Sequence, residues 1–174
     1  MPYTGIVLTF IGLHAAAFLI LLAHWVATTG MFPQAARAFA EVYEQRSIRA
    51  TLLGVLTYGP LVVLLLNAGK IGNAGVRFVV VLAALVAVLL ALIGSAGLAL
   101  RIGRNLCAEA DPWRQSLRGG VMLALVLITP LLGSFFLLHV ALASGFGAVL
   151  LARPWKAKAP PLPVATPIAE PALS

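Results

Sequence analysis

The sequence predicts an all-α fold, a polytopic transmembrane four-helix bundle with one short interfacial helix. Hydrophobic residues make up 61% of the chain, charged residues make up only 10%, and the mean hydropathy is +1.04. Soluble domains are about 25% charged. The apolar residues are concentrated in four runs that contain no Asp, Glu, Lys or Arg. These runs cover approximately residues 6–27, 50–67, 78–100 and 121–151.

Each of the four runs is long enough for a membrane-crossing helix, which needs about 20 predominantly apolar residues. A helix of a soluble bundle carries charge on its outer face, whereas these runs are apolar on every side, so we expect lipid around them. The first run follows Met1–Thr4, which has no Lys or Arg, and it is longer than the core of a signal peptide. We therefore expect it to be retained as the first crossing.

Two regions follow from this pattern, a four-span transmembrane domain at 1–153 and a C-terminal tail at 154–174. The tail contains six prolines and has no helical periodicity, which is typical of a disordered, partly polyproline segment. A peptide that docks on a partner is the alternative interpretation of this tail.

The segment 33–46 is predicted to form the short interfacial helix. Pro33 suits the first turn of a helix, where its missing N–H would have no partner anyway. Phe32, Ala36, Phe39 and Tyr43 share one face at helical spacing, and charged residues lie mostly on the other. Such a helix lies in the membrane interface with its aromatic side chains down. The alternative is a connecting helix that packs on the bundle.

Turn and breaker residues define the connections between the runs. The segment 67–75 contains three Gly and two Asn, which predicts a tight turn and an antiparallel hairpin of the second and third runs. Asp111-Pro112 predicts the start of a helix. Pro130 interrupts the fourth run, so 121–129 either enters the membrane partway or continues with a kink. The segment 131–151 is long enough to cross alone.

The third run carries a row of small residues at every fourth position. Membrane helices lack a hydrophobic drive to associate, so small side chains that allow close backbone approach take its place. We expect the row to face another helix rather than lipid. The row consists of Ala83, Ala87, Ala91, Ser95, Ala99 and Gly103.

Charge on the connections suggests an orientation. With four crossings, the connections near 28–49 and 101–118 share one side and carry seven Arg. The excess favours these connections as cytoplasmic and the N-terminus as external. The opposite side would carry Lys70, Arg77, Arg153, Lys156 and Lys158.

Three histidines inside the runs are the candidates for chemistry, because polar groups at membrane depth are functional by default. His14 and His24 lie about 15 Å apart along one helix and point about 80° apart, so they cannot share a metal. Small residues beside His14 and His139 leave flat space for a tetrapyrrole. Haem or bacteriochlorophyll ligation by His14, His24 or His139 is therefore one interpretation. Structural or interfacial hydrogen bonding is the other.

The sequence shows no catalytic constellation. The runs hold no Asp or Glu for proton relay, no His pair has metal-ligand spacing, and no Ser has a plausible base nearby. Cys107 is the chain's single cysteine, so no disulfide or cysteine metal motif forms within the chain. The net charge of +7 comes from Lys and Arg that flank the runs, where they match lipid headgroups rather than a nucleic acid.

The pattern of Gly and Pro residues within the apolar sequence resembles that of a bacterial family, the polytopic membrane domain found beside or fused to bactofilin-type polymer-forming proteins. The resemblance covers about residues 30–152. The chain reads Ile71-Gly72-Asn73-Ala74 where that family usually has an Ile-Gly-Ile-Pro-like hairpin, and it carries no polymer-forming β-helical segment. The resemblance implies an envelope-associated membrane scaffold and transfers no catalytic residue. The residues that carry it are Met31-Phe32-Pro33, Leu53-Gly54, Pro60, Lys70-Ile71-Gly72, Thr129-Pro130-Leu131-Leu132-Gly133 and Ser144-Gly145-Phe146-Gly147-Ala148.

These observations predict a multi-pass protein of a bacterial inner membrane that has no catalytic activity and no cofactor. It would act as a scaffold, anchor or assembly subunit through helix–helix contacts, with lipids and other membrane subunits as partners. The main alternative is an accessory subunit of a respiratory or photosynthetic complex, in which a His contacts haem or bacteriochlorophyll. A small transporter is a third interpretation, although ion transport usually needs a charge within the membrane.

Overall fold

The computed structural model describes residues 2–107, 111–129 and 132–152, and all regular elements of this part are helical. The predicted all-α class is therefore confirmed. A 3₁₀ turn at Ala68–Lys70 and a π-helical segment at Leu132–Leu137 lie between the α-helices. The α-helices are α1 (Pro2–Met31), α2 (Pro33–Leu66), α3 (Ala74–Leu106), α4 (Pro112–Ile128) and α5 (Leu138–Leu151).

Three of these helices, α1, α2 and α3, are long and apolar enough to cross a membrane. They have 30, 34 and 33 residues, and at about 1.5 Å per residue each exceeds the roughly 30 Å of a hydrocarbon core. Helix α5 is apolar but has only 14 residues. The predicted tail at 154–174 and the interrupting Pro130 lie outside the described residues.

The predicted short helix at 33–46 forms the first part of α2. The helix begins at Pro33, and the backbone leaves helical geometry at Arg46, where φ is −144° and ψ is 34°. The aromatic face of this part packs inside the protein, because Phe39 is only 4% exposed and Tyr43 only 2%. These contacts match the alternative of a connecting helix on the bundle. Its orientation relative to a membrane stays a prediction.

The tight turn predicted at 67–75 joins α2 and α3. Asn67 ends α2, a single 3₁₀ turn follows, and Asn73 caps the start of α3. The Asn73 side chain accepts a hydrogen bond of 3.1 Å from the backbone N–H of Val76. This bond satisfies one of the N–H groups that a helix start leaves without a partner.

The fourth apolar run does not form one continuous α-helix, because it is divided between α4 and α5. Helix α4 begins at Pro112, directly after Asp111, as the Asp-Pro pair predicts. It lies against the last part of α3 in the antiparallel direction. A Cβ atom at Gly103 would collide with the carbonyl of Gln115, and one at Gly119 would collide with the carbonyl of Ala99.

Helix α5 then runs back toward the end from which α4 started. Gly145 lies against Ala91 of α3, and Ala152 packs with Phe39 at the start of α2. Phe39 in turn contacts Gly97, which lies near the C-terminal end of α3. The last described residue, Ala152, therefore lies at the end of the bundle that holds Phe39. The side of the membrane on which Arg153 lies stays a prediction, because Arg153 is outside the described residues. The sequence left two interpretations of the break near Pro130, partial entry into the membrane or a kink. Neither of them included a reversal of the chain direction between α4 and α5.

Helix α3 is the centre of the bundle, with α4 and α1 on one side and α2 and α5 on the other. Helix α1 joins through its C-terminal half, where Trp25 is only 1% exposed and packs with α3 and α4. The N-terminal half of α1 is exposed along almost its whole length. The core therefore consists of α2 to α5 and one half of α1.

Two glycines on α5 allow the closest packing in the bundle. Gly145 and Gly147 are two residues apart, which places them about 200° apart around the helix. A Cβ at Gly145 would collide with the carbonyl of Ala91 on α3, and a Cβ at Gly147 would collide with the carbonyl of Ala50 on α2. Helix α5 is thus held between two neighbours whose backbones touch it from opposite sides.

We predict that Gly147→Ala destabilises the protein although Ala is the better helix former. The favourable propensity is about 1 kcal/mol, and overpacking of a close contact costs about 1–3 kcal/mol. The thermal unfolding midpoint in mild detergent should therefore fall. Gly30→Ala is the control, since nothing lies within 4 Å of a Cβ at Gly30, and its midpoint should stay or rise. Equal effects of the two changes would contradict close packing at Gly147.

Candidate functional site

The row of small residues on α3 is the first candidate interface. Five of its six members, from Ala87 to Gly103, are buried, and Ala83 is exposed. Ala91 and Ser95 lie against Gly145 of α5, whereas Ala99 and Gly103 lie against α4. The helices that meet this row therefore belong to the same chain.

The exposure of Ala83 follows from helix geometry. A step of four residues turns 400° around a helix of 3.6 residues per turn, so the row advances about 40° around α3 at each step. From Ala91 back to Ala83 this drift is about 80°. The row therefore winds from one neighbour to the next, and Ala84 is buried at this level instead of Ala83.

The sequence pattern missed the partners of this row. Gly94 on α3 lies so close to Gly145 that a Cβ would collide with the Gly145 carbonyl, and a Cβ at Gly97 would collide with the Cβ of Phe39. Gly94 and Gly97 fall between the positions of the four-residue row. The feature of the sequence that could have indicated these two contacts is the run of small residues Gly94-Ser95-Ala96-Gly97, in which no residue is larger than Ser.

Single hydrogen bonds join the helices inside this packing. The indole Nε1 of Trp25 donates to the Ser95 hydroxyl over 2.9 Å, and Ser95 donates to the carbonyl of Leu92 over 2.7 Å. Trp25 and Ser95 are both buried. This pair ties α1 to α3 at the only part of α1 that the bundle covers.

A second polar contact ties α1 to α4. The hydroxyls of Thr29 and Ser116 lie 3.0 Å apart, and the carbonyl oxygen of Trp25 is 2.9 Å from the first and 3.3 Å from the second. Both hydroxyls are almost fully buried, with exposures of 2% and 0%. The buried hydroxyl groups therefore satisfy one another and the helix backbone.

A third set of contacts gathers α2, α3 and α5 at the end of the bundle that holds Phe39. The Tyr43 and Ser144 hydroxyls lie 3.2 Å apart, and Arg101 donates to the Tyr43 carbonyl over 2.6 Å. Arg104 and Glu44 form an ion pair of 3.5 Å. These contacts bring the charged connections of the chain to one end.

The three candidate histidines do not come together. His14 is on the outer side of α1, where its Nδ1 lies 2.9 Å from the Phe10 carbonyl and its ring is 4.0 Å from the Phe10 ring. His139 is exposed and lines an apolar groove of about 220 Å³ between α2 and α5, together with Tyr58. His24 has a buried Nε2 that has no hydrogen-bond partner in the described part.

These positions limit what the histidines can hold. Among the described residues, no group of three or more His, Cys, Asp or Glu side chains is placed to bind a metal ion. At the level of Gly145 and Gly147, backbone contacts leave no room for a ring between α5 and its neighbours, and the groove beside His139 is open to the outside. A tetrapyrrole on His14 or His139 would therefore sit on the outer surface rather than inside the bundle.

We predict that Ala91→Leu lowers the unfolding midpoint and that Ala83→Leu does not. The two positions belong to the same row and receive the same side chain, but Ala91 is 0% exposed and Ala83 is exposed. Overpacking at Ala91 should cost about 1–3 kcal/mol. Thermal unfolding in detergent compares the two. A midpoint for Ala91→Leu that matches that of Ala83→Leu would show that α5 does not press on α3.

We also predict a coupling between Trp25 and Ser95. In a double-mutant cycle of Trp25→Phe and Ser95→Ala, the interaction free energy should be about 0.5–1.5 kcal/mol. Trp113→Phe with Ser95→Ala is the control, because Trp113 is 47% exposed and stacks with the guanidinium of Arg114. Additive effects of Trp25→Phe and Ser95→Ala would refute the hydrogen bond as a helix-joining contact.

Comparison with known proteins adds no relative from which a function can be transferred. No protein-family model, no curated protein and no solved structure matches this chain. The resemblance to the membrane domain associated with bactofilin-type proteins therefore stays a prediction from the sequence. The function has to be argued from the contacts and exposed faces of the helices themselves.

Proposed function

We propose that this chain is a non-catalytic, multi-pass integral membrane protein that acts as a scaffold, anchor or assembly subunit through helix–helix contacts. The proposed location is a bacterial inner membrane, with lipids and other membrane subunits as partners. Two features support it: an outer surface suited to lipid, and a helix half that its own chain leaves uncovered.

The distribution of exposed residues supports insertion into a membrane. Large apolar side chains are exposed along α1, α2 and α3, for example Leu13 at 67%, Leu56 at 73% and Val79 at 63%. A soluble surface rarely exposes apolar patches of this extent. The charged residues of the described part lie before, between and after these stretches. From Phe78 to Leu100, α3 is free of charge over about 34 Å, close to the thickness of a hydrocarbon core.

The observation that carries the proposed assembly role is the N-terminal half of α1. Gly5, Thr9, Gly12 and Ala16 follow steps of four, three and four residues, and these positions fall within about 60° of one another around the helix. All four are exposed, and a Cβ at Gly5 or Gly12 would meet nothing within 4 Å. Small residues at this spacing let a second membrane helix approach closely. We call this set the α1 stripe.

The proposed function predicts that a large side chain on the α1 stripe weakens assembly without unfolding the protein. Ala16→Leu should shift the protein from a complex to a smaller species in mild detergent, measured by light scattering after gel filtration. Ala17→Leu is the matched control, because Ala17 is also exposed but lies about 100° from Ala16 around α1. The unfolding midpoints of both variants should equal that of the unchanged protein.

Crosslinking in the native membrane completes this test. With Cys107 replaced by Ser, a single Gly12→Cys should crosslink to a second copy or to another membrane subunit. If Gly12→Cys finds no protein partner and Ala16→Leu leaves the particle size unchanged, the α1 stripe faces lipid. The proposed assembly role would then be refuted.

One observation favours the alternative of a pigment- or haem-binding accessory subunit. The buried Nε2 of His24 has no hydrogen-bond partner in the described part, and a ligand or a polar group of another subunit would supply one. An absorption spectrum of the purified protein separates the two functions. A scaffold shows no Soret or bacteriochlorophyll band, whereas a band that His24→Ala abolishes would replace the proposed function by the alternative.

A further inference from the structure

The two ends of the bundle differ strongly in charge. The ion pair of Arg104 with Glu44 and the hydrogen bond from Arg101 to the Tyr43 carbonyl bring the 33–49 and 101–118 regions together. We call this end the arginine end. The turn between α2 and α3 forms the opposite end, with Lys70 and Arg77. The basic residues of the arginine end are Arg37, Arg46, Arg49, Arg101, Arg104, Arg114 and Arg118.

The segment from α4 to α5 starts and finishes at the arginine end. Gln115 lies beside Gly103 at its start, and Ala152 packs with Phe39 and Ala38 at its finish. Between these points the chain carries no charged residue from Gly119 to Ala152. Gly133 folds back onto the last turn of α4, where a Cβ would collide with the Val126 carbonyl. The two helices therefore form a hairpin with an uncharged tip.

The hairpin is too short to reach the opposite end through α4. From Gly119 to Ile128, α4 has only ten residues, or about 15 Å. The hydrocarbon core is about 30 Å thick. The groove beside α2 is lined by Phe136 of the π-helical segment and by α5, and it reaches Val62, four residues before the end of α2 at Leu66.

We propose that α4 and α5 form a re-entrant hairpin that enters and leaves the membrane from the arginine end, and that this end faces the anionic lipid headgroups of the cytoplasmic leaflet. This inference rests on the proposed membrane insertion. Three complete crossings by α1, α2 and α3 then place the first and last described residues on opposite sides. The chain after Ala152 then continues from the arginine end, and this part of the sequence carries Arg153, Lys156 and Lys158.

The charge count supports this arrangement. Ten of the chain's 12 Lys and Arg residues belong to the arginine end or the tail that follows it, and only Lys70 and Arg77 belong to the opposite end. The positive-inside rule assigns such an excess to the cytoplasm, where anionic lipids attract it. An arrangement with four crossings would place seven basic residues on one side of the membrane and five on the other. The hairpin therefore turns a weak charge bias into a decisive one.

Cysteine labelling of the full-length protein in its native membrane tests this topology. In a Cys107→Ser background, single cysteines replace Gln34 at the arginine end, Gly72 at the opposite end, Thr129 at the hairpin tip and Ala157 in the tail. A membrane-impermeant maleimide is applied to right-side-out and inside-out vesicles. Gln34→Cys and Ala157→Cys should react only in inside-out vesicles, and Gly72→Cys only in right-side-out vesicles.

Thr129→Cys should react in neither type of vesicle and should react after detergent is added. Reaction of Thr129→Cys in intact vesicles of either type would overturn the re-entrant hairpin. Reaction of Ala157→Cys on the same side as Gly72→Cys would overturn the three-crossing topology. Reaction of Gln34→Cys from outside would overturn the orientation. Release of the protein from vesicles by alkaline carbonate would instead refute the proposed membrane insertion, so the two failures are distinguishable.

Discussion

Backbone contact on both sides of α5 is the constraint on which the rest of the bundle depends. Gly145 and Gly147 allow the carbonyls of Ala91 and Ala50 to lie directly against α5. Helix α5 is therefore packed between α2 and α3. Apolar helices gain little from association in lipid, because lipid tails are as apolar as their side chains. Close packing of backbones must supply that attraction. Dispersion contacts are individually about 0.1–0.2 kcal/mol but numerous at such distances.

Hydrogen bonds then specify how the other helices join this centre. Each polar contact joins a different pair: Trp25 with Ser95 for α1 and α3, Thr29 with Ser116 for α1 and α4, and Tyr43 with Ser144 for α2 and α5. Such bonds contribute about 0.6 kcal/mol each in membrane proteins, so they do not hold the fold alone. They do penalise a shifted register, which would leave a buried hydroxyl or indole without a partner.

The sequence predicted what depends on local pattern and missed what depends on distant contacts. The helix starts at Pro33 and Pro112 and the turn before Asn73 follow from residue types within a few positions. The chain reversal between α4 and α5 does not, because a proline in an apolar run is compatible with a kink, a break or a turn. Only the contact of Ala152 with Phe39, far apart in sequence, decides among them.

The small-residue row shows the same limit at the level of the site. Small residues at every fourth position were sufficient to predict close contact with another helix. Because the row turns about 40° around α3 at each step, however, it contacts two different helices, α5 and α4. The hydroxyl partners could not be paired from the sequence at all, since nothing in the residues around a Ser, Thr or Tyr indicates which distant hydroxyl it meets. Which hydroxyl meets which is set by the packing of α5 and α4 on α3.

This packing also explains why the proposed role lies at the surface. A protein that binds a substrate between its helices keeps space there, often lined by polar groups. Here Gly145 and Gly147 close that space, and Ser95, Ser116 and Ser144 are engaged in joining helices. These three interior hydroxyl groups are therefore structural. The N-terminal half of α1 stays exposed, and its small residues would let another backbone approach closely. These residues are therefore suited to contact with another membrane helix.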